Sequence, residues 1–269
     1  MAQTISALAP DEEVIADVEA YMETLVTEDD TPVDNWFSEH QRRLLVDPLD
    51  DFWRPVDESG APRKFLAGSD IGVFWALRQP PLVPDMFLSL DAELEIEKES
   101  DWWRKKNRSY FVWEHGKAPE VAIEIVSNRE GNETGSKLRD YAVMGVLYYV
   151  VFDPAHRLGD ESLRIFELEK RRDVRYHDRH FPDLGLGLTL WEGSYKDSPV
   201  TTWLRWCDEN GNVIPTGAEM AALANKEAAH EAERAAREAE RAMREAEKSA
   251  LLAAKLRELG VDPDRILQK

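Results

Sequence analysis

The 269-residue sequence predicts an α+β fold, in which a mixed central β-sheet is flanked by helices and followed by a long C-terminal helix or coiled coil. Three observations lead to this prediction. Short apolar runs typical of strands recur between residues 64 and 190. A helical segment at 135–144 lies between two of these runs, and strand, helix, strand at this spacing implies a right-handed crossover. From residue 216 the composition changes abruptly to alanine, glutamate and arginine.

Two helices are expected before the first strand. Residues 1–32 are acidic and show some helical spacing, so we expect a peripheral helix there. Residues 33–47 fit an amphipathic helix, because Trp36, Phe37, Leu44 and Leu45 recur near the helical period, with the polar residues 39–43 between them.

The apolar runs that predict strands continue to residue 190. The helix at 135–144 is expected to end at Gly145, which leads directly into the fourth run. Asn210-Gly211 marks a hairpin-type turn and places the end of the globular domain at about residue 215. The predicted strands are 71–77, 86–90, 121–126, 147–152, 163–168 and 186–190.

The sequence therefore divides into four regions. They are an acidic helical segment (1–32), the main domain (33–215), a helical coil (216–259) and a tail (260–269). In the coil, alanines recur at alternating intervals of four and three residues, which is a heptad seam. Alanine buries little area, so a coiled coil that forms a homo-oligomer and a lone helix stabilised by Glu–Arg pairs both fit this pattern. The seam consists of Ala228, Ala232, Ala235, Ala239, Ala242 and Ala246.

Composition and charge limit the classes of protein. No apolar run approaches the ~18 residues of a membrane span, and the N-terminus lacks a basic and then apolar signal, so we expect a cytoplasmic protein without membrane partners. The single Cys207 excludes an internal disulfide and a multi-cysteine zinc site.

The net charge of −19 weakens the affinity expected for nucleic acid without excluding nuclease chemistry. Residues 216–269 carry 11 acids and 10 bases, so residues 1–215 carry 42 acids and 24 bases and a net charge of −18. Basic residues follow Trp102 and Trp103, and a second basic cluster lies at 170–175. Such clusters either hold phosphates and stack bases or form solvated loops.

Two acids in apolar runs indicate a functional site. Asp85 follows Pro84 at the head of one run, and Glu124 lies between Ile123 and Ile125 in another. A carboxylate inside such a run is costly to bury unless it is paired or binds a metal. The alternative is a glutamate on the solvated face of a half-exposed strand.

The ordered residues resemble the Uma-two family of restriction endonucleases. The resemblance covers about residue 33 to the C-terminus. It is carried by Glu39 within 36–43, Pro84-Asp85, the segment 112–119, Glu124 to Ser127, Lys137 with Tyr141, Gly145 before a Tyr-Tyr strand, and the tail segment 256–263.

This resemblance implies a restriction-endonuclease-like fold of the PD-(D/E)XK superfamily and Mg²⁺-dependent (or Mn²⁺-dependent) hydrolysis of nucleic acid, with DNA expected. It implies that Asp85 and Glu124 are the metal ligands. Val126 stands where the superfamily pattern has lysine, and Lys137 fits the position from which the following helix supplies it instead.

The chemistry gives these residues a reason of its own. Mg²⁺ takes one or two carboxylates and keeps waters, so Asp85 and Glu124 on adjacent strands are a sufficient pair. Lys137 is expected to orient the attacking water or neutralise developing charge. Glu39 is a fourth candidate catalytic residue, which adds a carboxylate to the metal or its water shell. For Lys137 and Glu39 the alternative is an exposed helix residue.

Two functions from different classes follow. The first is an active metal-dependent endonuclease, favoured because Asp85, Glu124 and Lys137 are all present. The second is a non-catalytic nuclease fold that serves as a binding or assembly module and oligomerises through 216–259. The acidic main domain favours this second function.

Overall fold

The computed structural model describes residues 21–22, 35–127, 133–169 and 172–259. The chain divides into two compact units, Met1–Pro215 and Thr216–Lys269. The α+β prediction, with a mixed sheet and a long C-terminal helix, is confirmed. Apart from two helical residues at 21–22, the helix expected in 1–32 lies outside the described residues, as does the tail at 260–269.

The helix at Trp36–Phe52 begins at a side-chain cap. The Asn35 side chain accepts a hydrogen bond from the Ser38 N–H at 2.9 Å, which satisfies one of the unpaired donors of the first turn. The helix passes through Pro48 and so extends beyond its predicted end at residue 47. The helices are α1 (Trp36–Phe52), α2 (Lys105–Arg108), α3 (Val112–His115), α4 (Ser136–Met144) and α5 (Gly217–Glu258), with a 3-10 helix at Glu99–Trp103.

The strands that the structure describes in the first unit form a main sheet and two smaller sheets. The main sheet has the order β1-β3-β5-β6-β7-β8, a second has the order β11-β10-β9, and β2 pairs with β4. The strands are β1 (Phe65–Gly68), β2 (Val73–Phe74), β3 (Met86–Leu90), β4 (Tyr110–Phe111), β5 (Val121–Ile125), β6 (Tyr148–Phe152), β7 (Leu163–Glu169), β8 (Arg172–Tyr176), β9 (His180–Phe181), β10 (Leu186–Gly193) and β11 (Thr201–Asp208).

The main sheet is mixed because one pair of its strands is parallel. β5 and β6 run parallel and are connected through α4, whereas β3 pairs with β5 antiparallel. The two apolar runs that carry the predicted acids are therefore neighbouring strands.

The prediction of a strand over 71–77 was wrong in extent. Only Val73 and Phe74 are extended there, and they pair with β4 outside the main sheet. Gly72 interrupts the run, and its amide carbonyl accepts from the Tyr110 N–H at 3.0 Å. The edge strands β1, β8 and β11 were not predicted: β1 is an apolar run of only 4 residues, and charged residues interrupt the apolar pattern of β8 and β11.

The two faces of the main sheet carry separate cores. One face packs against α1 through Leu45 and Leu49 and against the second sheet through Leu204 and Trp206. The other face packs against α4, whose Tyr141 and Met144 lie on Ala122, Tyr149 and Val151 of the sheet.

Candidate active site

Strand alternation places Glu124 on the face of the sheet covered by α4. Successive side chains of a strand point to opposite faces, so Ala122, Glu124 and Val126 share one face while Ile123 and Ile125 share the other. Glu124 is only 3% exposed, so the alternative of a solvated strand glutamate does not describe it.

The strand register brings Asp85 beside Glu124. Met86 pairs with Ile123, and Asp85 directly precedes Met86, so it faces the end of β5 where Glu124 lies. The Ile125 N–H donates to Asp85 Oδ2 at 2.6 Å, which ties the Asp85 carboxylate to the residue after Glu124. The structure therefore brings these two predicted acids together where the start of β3 meets the end of β5.

Both oxygens of Glu124 accept hydrogen bonds from α4. Lys137 Nζ donates to Oε2 at 2.9 Å, and the Tyr141 hydroxyl donates to Oε1 at 2.7 Å. Burial raises the pKa of Glu124 to about 7; the Lys137 charge acts against this rise, and the charge of Asp85 adds to it. Glu124 is thus a buried acid that exists in both its protonated and its ionised form near neutral pH.

Asp85 is fixed from two sides. Arg42 Nη1 donates to Asp85 Oδ1 at 3.1 Å, opposite the Ile125 N–H on Oδ2. Burial raises the pKa of Asp85, and the hydrogen bonds from Ile125 and Arg42 oppose the rise without cancelling it.

Helix α4 aims Lys137 and Tyr141 at the sheet. Lys137 lies in its first turn, and the helix ends at Gly145, as predicted, with φ +97° in the left-handed region. Burial lowers the pKa of Lys137, but the charge and hydrogen bond of Glu124 outweigh burial and the pKa is raised, so the amine stays charged. The ring of Tyr141 stacks on Tyr149 with centroids 4.7 Å apart, so Tyr141 both packs the helix and binds Glu124.

Val126, at the position where the sequence resemblance implies a lysine in the general pattern, belongs to the core. It is 3% exposed and packs among the residues between α4 and the sheet. The amine beside Glu124 comes from Lys137 instead.

Glu39 is separated from the two acids by arginines. Arg43 binds Glu39 Oε1 through Nε at 2.7 Å, and Arg42 Nη2 lies 3.9 Å from Glu39 Oε2. Its part in catalysis stays a prediction. Arg42 also pairs with Asp70, with Nε 3.0 Å from Oδ2.

A further acid lies near Lys137. Glu133 is 5% exposed, its carbonyl accepts from the Tyr149 hydroxyl at 2.9 Å, and its negative charge contributes to the raised pKa of Lys137. Its Oε2 has no hydrogen-bond partner among the described residues.

The basic cluster after the paired tryptophans is partly neutralised. Trp102 and Trp103 are exposed, whereas Arg104 pairs with Asp101 at 3.2 Å and Lys106 pairs with Glu95 at 2.5 Å. In the second cluster, residues 170 and 171 lie outside the described residues.

The oxygen donors suit a hard divalent cation. Among the described residues no group of three or more His, Cys, Asp or Glu side chains is arranged to hold a metal ion, so Asp85 and Glu124 are a two-carboxylate set. Mg²⁺ accepts such a set, because it keeps several waters and completes its shell with substrate phosphate oxygens. The raised pKa values of the two neighbouring carboxyls indicate negative charge that a bound cation would stabilise.

Sequence reasoning missed Arg42 and Glu133. Arg42 was assigned to the polar side of α1 together with Gln41, yet both are buried. The signal was present, because Arg42 lies three and seven residues before Leu45 and Leu49 and so shares their face. Conversely, Trp36 was assigned to the apolar side and is 80% exposed. The position of Glu133 depends on the turn before α4, for which the sequence offers no pattern.

No curated protein matches the chain. Among protein families, the model for Uma2, described as "Putative restriction endonuclease", matches residues 25–192, which is more than half of the chain. The match confirms the resemblance seen in the sequence as far as residue 192, and the chain belongs to the Uma2 family.

Proposed function

We propose that the protein is a metal-dependent endonuclease that hydrolyses phosphodiester bonds of nucleic acid, with DNA as the substrate and Mg²⁺ or Mn²⁺ as the cofactor. The observation that carries the proposal is the buried Glu124 beside Asp85, bound by the amine of Lys137. An acidic pair with a lysine at the ends of two interior strands of a mixed sheet fits the nuclease chemistry of the family.

Asp85 and Glu124 would hold the divalent ion. When bound, the ion supplies a water of lowered pKa and stabilises negative charge on the phosphate. Lys137 stays protonated, donates to Glu124 Oε2, and would orient the attacking water or offset charge that develops on phosphorus. Tyr141 keeps Glu124 Oε1 in place through its 2.7 Å hydrogen bond.

Because the main domain is negatively charged, a bound divalent cation would contribute to substrate binding. Residues 1–215 carry a net charge of −18, which repels a polyanion. A divalent ion on Asp85 and Glu124 would reverse the local sign where the phosphate binds. Substrate affinity and turnover are therefore both expected to depend on the metal.

Glu124→Gln tests the proposal, because it keeps the shape of the side chain and removes the charge that would hold the metal. We expect the variant to fold and to lose cleavage of plasmid and single-stranded substrates in Mg²⁺ or Mn²⁺. Cleavage at the wild-type rate by this variant would contradict the assignment. Wild-type protein that cleaves none of these substrates across a range of salt would contradict the endonuclease proposal itself.

Lys137→Ala separates the lysine from the metal ligands. Removing one electrostatic stabiliser typically costs about 2.7–4 kcal/mol of barrier, so kcat is expected to fall about 10²- to 10³-fold. Metal affinity, measured by calorimetry, should change much less than in Glu124→Gln. An unchanged kcat would assign Lys137 a structural role only.

A second candidate function is an assembly module. Within the described chain none of the 42 residues of α5 is buried, and its apolar residues include the exposed Met243, Leu251 and Leu252. Together with the alanine seam, this helix offers a surface for a second copy. Oligomerisation without any nuclease activity would favour this candidate over the first.

A further inference from the structure

We propose that Arg42 is a positioning residue for the metal ligand Asp85. Its guanidinium holds the Asp85 carboxylate in the orientation that binds the metal, and it also forms an ion pair with Asp70. The inference rests on the proposed function, because it takes Asp85 as a ligand. Arg42 itself touches neither metal nor substrate in this assignment.

One planar side chain meets carboxylates from three segments of the chain. Its Nη1 lies 3.1 Å from Asp85 before β3, its Nε lies 3.0 Å from Asp70 after β1, and its Nη2 lies 3.9 Å from Glu39 on α1. Arg42 is 3% exposed, so these contacts are shielded from solvent and salt on the arginine side.

The contacts fix the rotation of the Asp85 carboxylate. The Ile125 N–H holds one oxygen and Arg42 holds the other, so turning the carboxylate plane would break at least one of these bonds. Hydrogen bonds of this kind orient the ligands of metal sites, and their loss typically weakens metal binding about 10- to 100-fold.

A contribution to folding stability is only a weak explanation for a buried arginine at this position. A buried ion pair can often be replaced by apolar residues without loss of stability. Arg42 shares the face of α1 that carries Leu45 and Leu49, where an apolar side chain would suit the core. Asp70, its second partner, has φ +53°, a left-handed conformation that is uncommon for residues other than glycine.

The backbone around Arg42 is anchored on the opposite side. Gln41 Nε2 donates to the Leu204 carbonyl at 2.7 Å, and the Leu204 N–H donates to Gln41 Oε1 at 2.9 Å. The indole of Trp206 donates to the Leu45 carbonyl at 2.9 Å. Helix α1 is therefore held on β11, which sets where the Arg42 side chain begins.

Arg42→Lys tests the proposal, because lysine keeps the charge and lacks the planar fork that reaches Asp85 and Asp70 together. Titration of the full chain with Mn²⁺ by calorimetry should show about 10- to 100-fold weaker binding. Cleavage should recover in part at high Mn²⁺, and the thermal transition should show that the variant is folded.

Two further variants complete the test. Asp70→Asn removes the outer partner only and should weaken Mn²⁺ binding in the same direction by a smaller factor. Arg63→Lys is the matched control, because Arg63 forms a two-point pair with Asp91 elsewhere on the surface and should leave Mn²⁺ affinity unchanged.

Wild-type Mn²⁺ affinity in folded Arg42→Lys would overturn the positioning role and leave the proposed function intact. If Arg42→Lys does not fold, unchanged affinity in Asp70→Asn would overturn it equally. Wild-type protein that neither binds Mn²⁺ nor cleaves nucleic acid would overturn the proposed function and this inference together.

Discussion

At the scale of single residues, the pKa of Glu124 determines when this acid carries a negative charge. Burial raises its pKa to about 7, while Lys137 and Tyr141 stabilise the charged form. The residue therefore changes charge within the pH range in which cells operate. A protonated Glu124 is a poor ligand, so metal binding and cleavage should rise as the pH increases through about 7.

The same pKa predicts how the metal-free protein responds to pH. The folded pKa of about 7 exceeds the usual 4.5, so between these values the folded chain holds a proton that the unfolded chain has released. The Glu124 contribution to the free energy of unfolding is thus fully present below about pH 4.5 and lost as pH rises through about 7. The raised pKa of Asp85 acts in the same direction.

Urea unfolding of wild type and Glu124→Gln, in chelator at pH 5 and pH 8, measures this effect. Glutamine cannot ionise, so the variant should gain stability relative to wild type between the two pH values, on the order of 3 kcal/mol. Parallel pH curves for the two proteins would show that Glu124 does not titrate differently in the folded state.

The sequence identified Asp85, Glu124 and Lys137 because each signal is local. An acid in an apolar run and a lysine in the first turn of the next helix can be read without knowing the packing. Arg42 and the Tyr141 hydrogen bond depend on which face of a helix meets which strand, and that is decided by tertiary contacts. The catalytic roles of these residues, and of Glu39, stay predictions.

At the scale of elements, α4 depends on how it ends. The Gly145 N–H donates to the Tyr141 carbonyl at 3.0 Å, and the left-handed conformation there turns the chain into β6. Because Tyr141 and Lys137 both reach Glu124, the position of α4 determines the hydrogen bonds of that acid. The sequence predicted this helix and its cap well, since glycine after a helical run is a strong stop signal.

Gly145→Ala should lower the free energy of unfolding by about 1–2 kcal/mol, because alanine is strained at φ +97°. An added Cβ would meet nothing within 4 Å, so the loss comes from the backbone alone. Gly145→Asn is the control and should lose less, since asparagine tolerates this conformation better. Equal stability of wild type and Gly145→Ala in chemical unfolding would contradict this account.

The edge strands show where the pattern of a single sequence is insufficient. β5 and β6 are buried along their whole length and read as continuous apolar runs. β8, at the edge of the main sheet, has the sequence RDVRY and offers no such run. Its position in the sheet is determined by pairing with β7, and the sequence of β8 alone does not reveal this pairing.

At the scale of the whole molecule, the two units differ in net charge and in the length of their helices. The first unit carries nearly all of the net charge, and the second is dominated by one helix of 42 residues, about 63 Å long. Its N-terminus has a capping box in which Thr216 and Glu219 bind each other's backbone N–H groups. No helix among the described residues is long and apolar enough to cross a membrane.

Removal of residues 216–269 tests the role of the long helix. We expect the full chain to have twice the monomer mass in light scattering at high concentration and the 1–215 fragment to be monomeric. Alanine contacts are weak, so the dimer should dissociate on dilution. The fragment should keep its thermal transition, because its cores lie within residues 1–215. A full chain that stays monomeric at every concentration would contradict dimerisation.

The pair formed by Gln41 and Leu204 joins residues 163 positions apart. The ribosome makes Asp85, Glu124 and Lys137 well before it makes β11. Until Leu204 and Trp206 leave the exit tunnel, helix α1 lacks these three anchoring hydrogen bonds, and Arg42 lacks its fixed origin beside Asp85. Under the proposed function, an unfinished chain would carry its acids before Arg42 holds Asp85 in its orientation for metal binding.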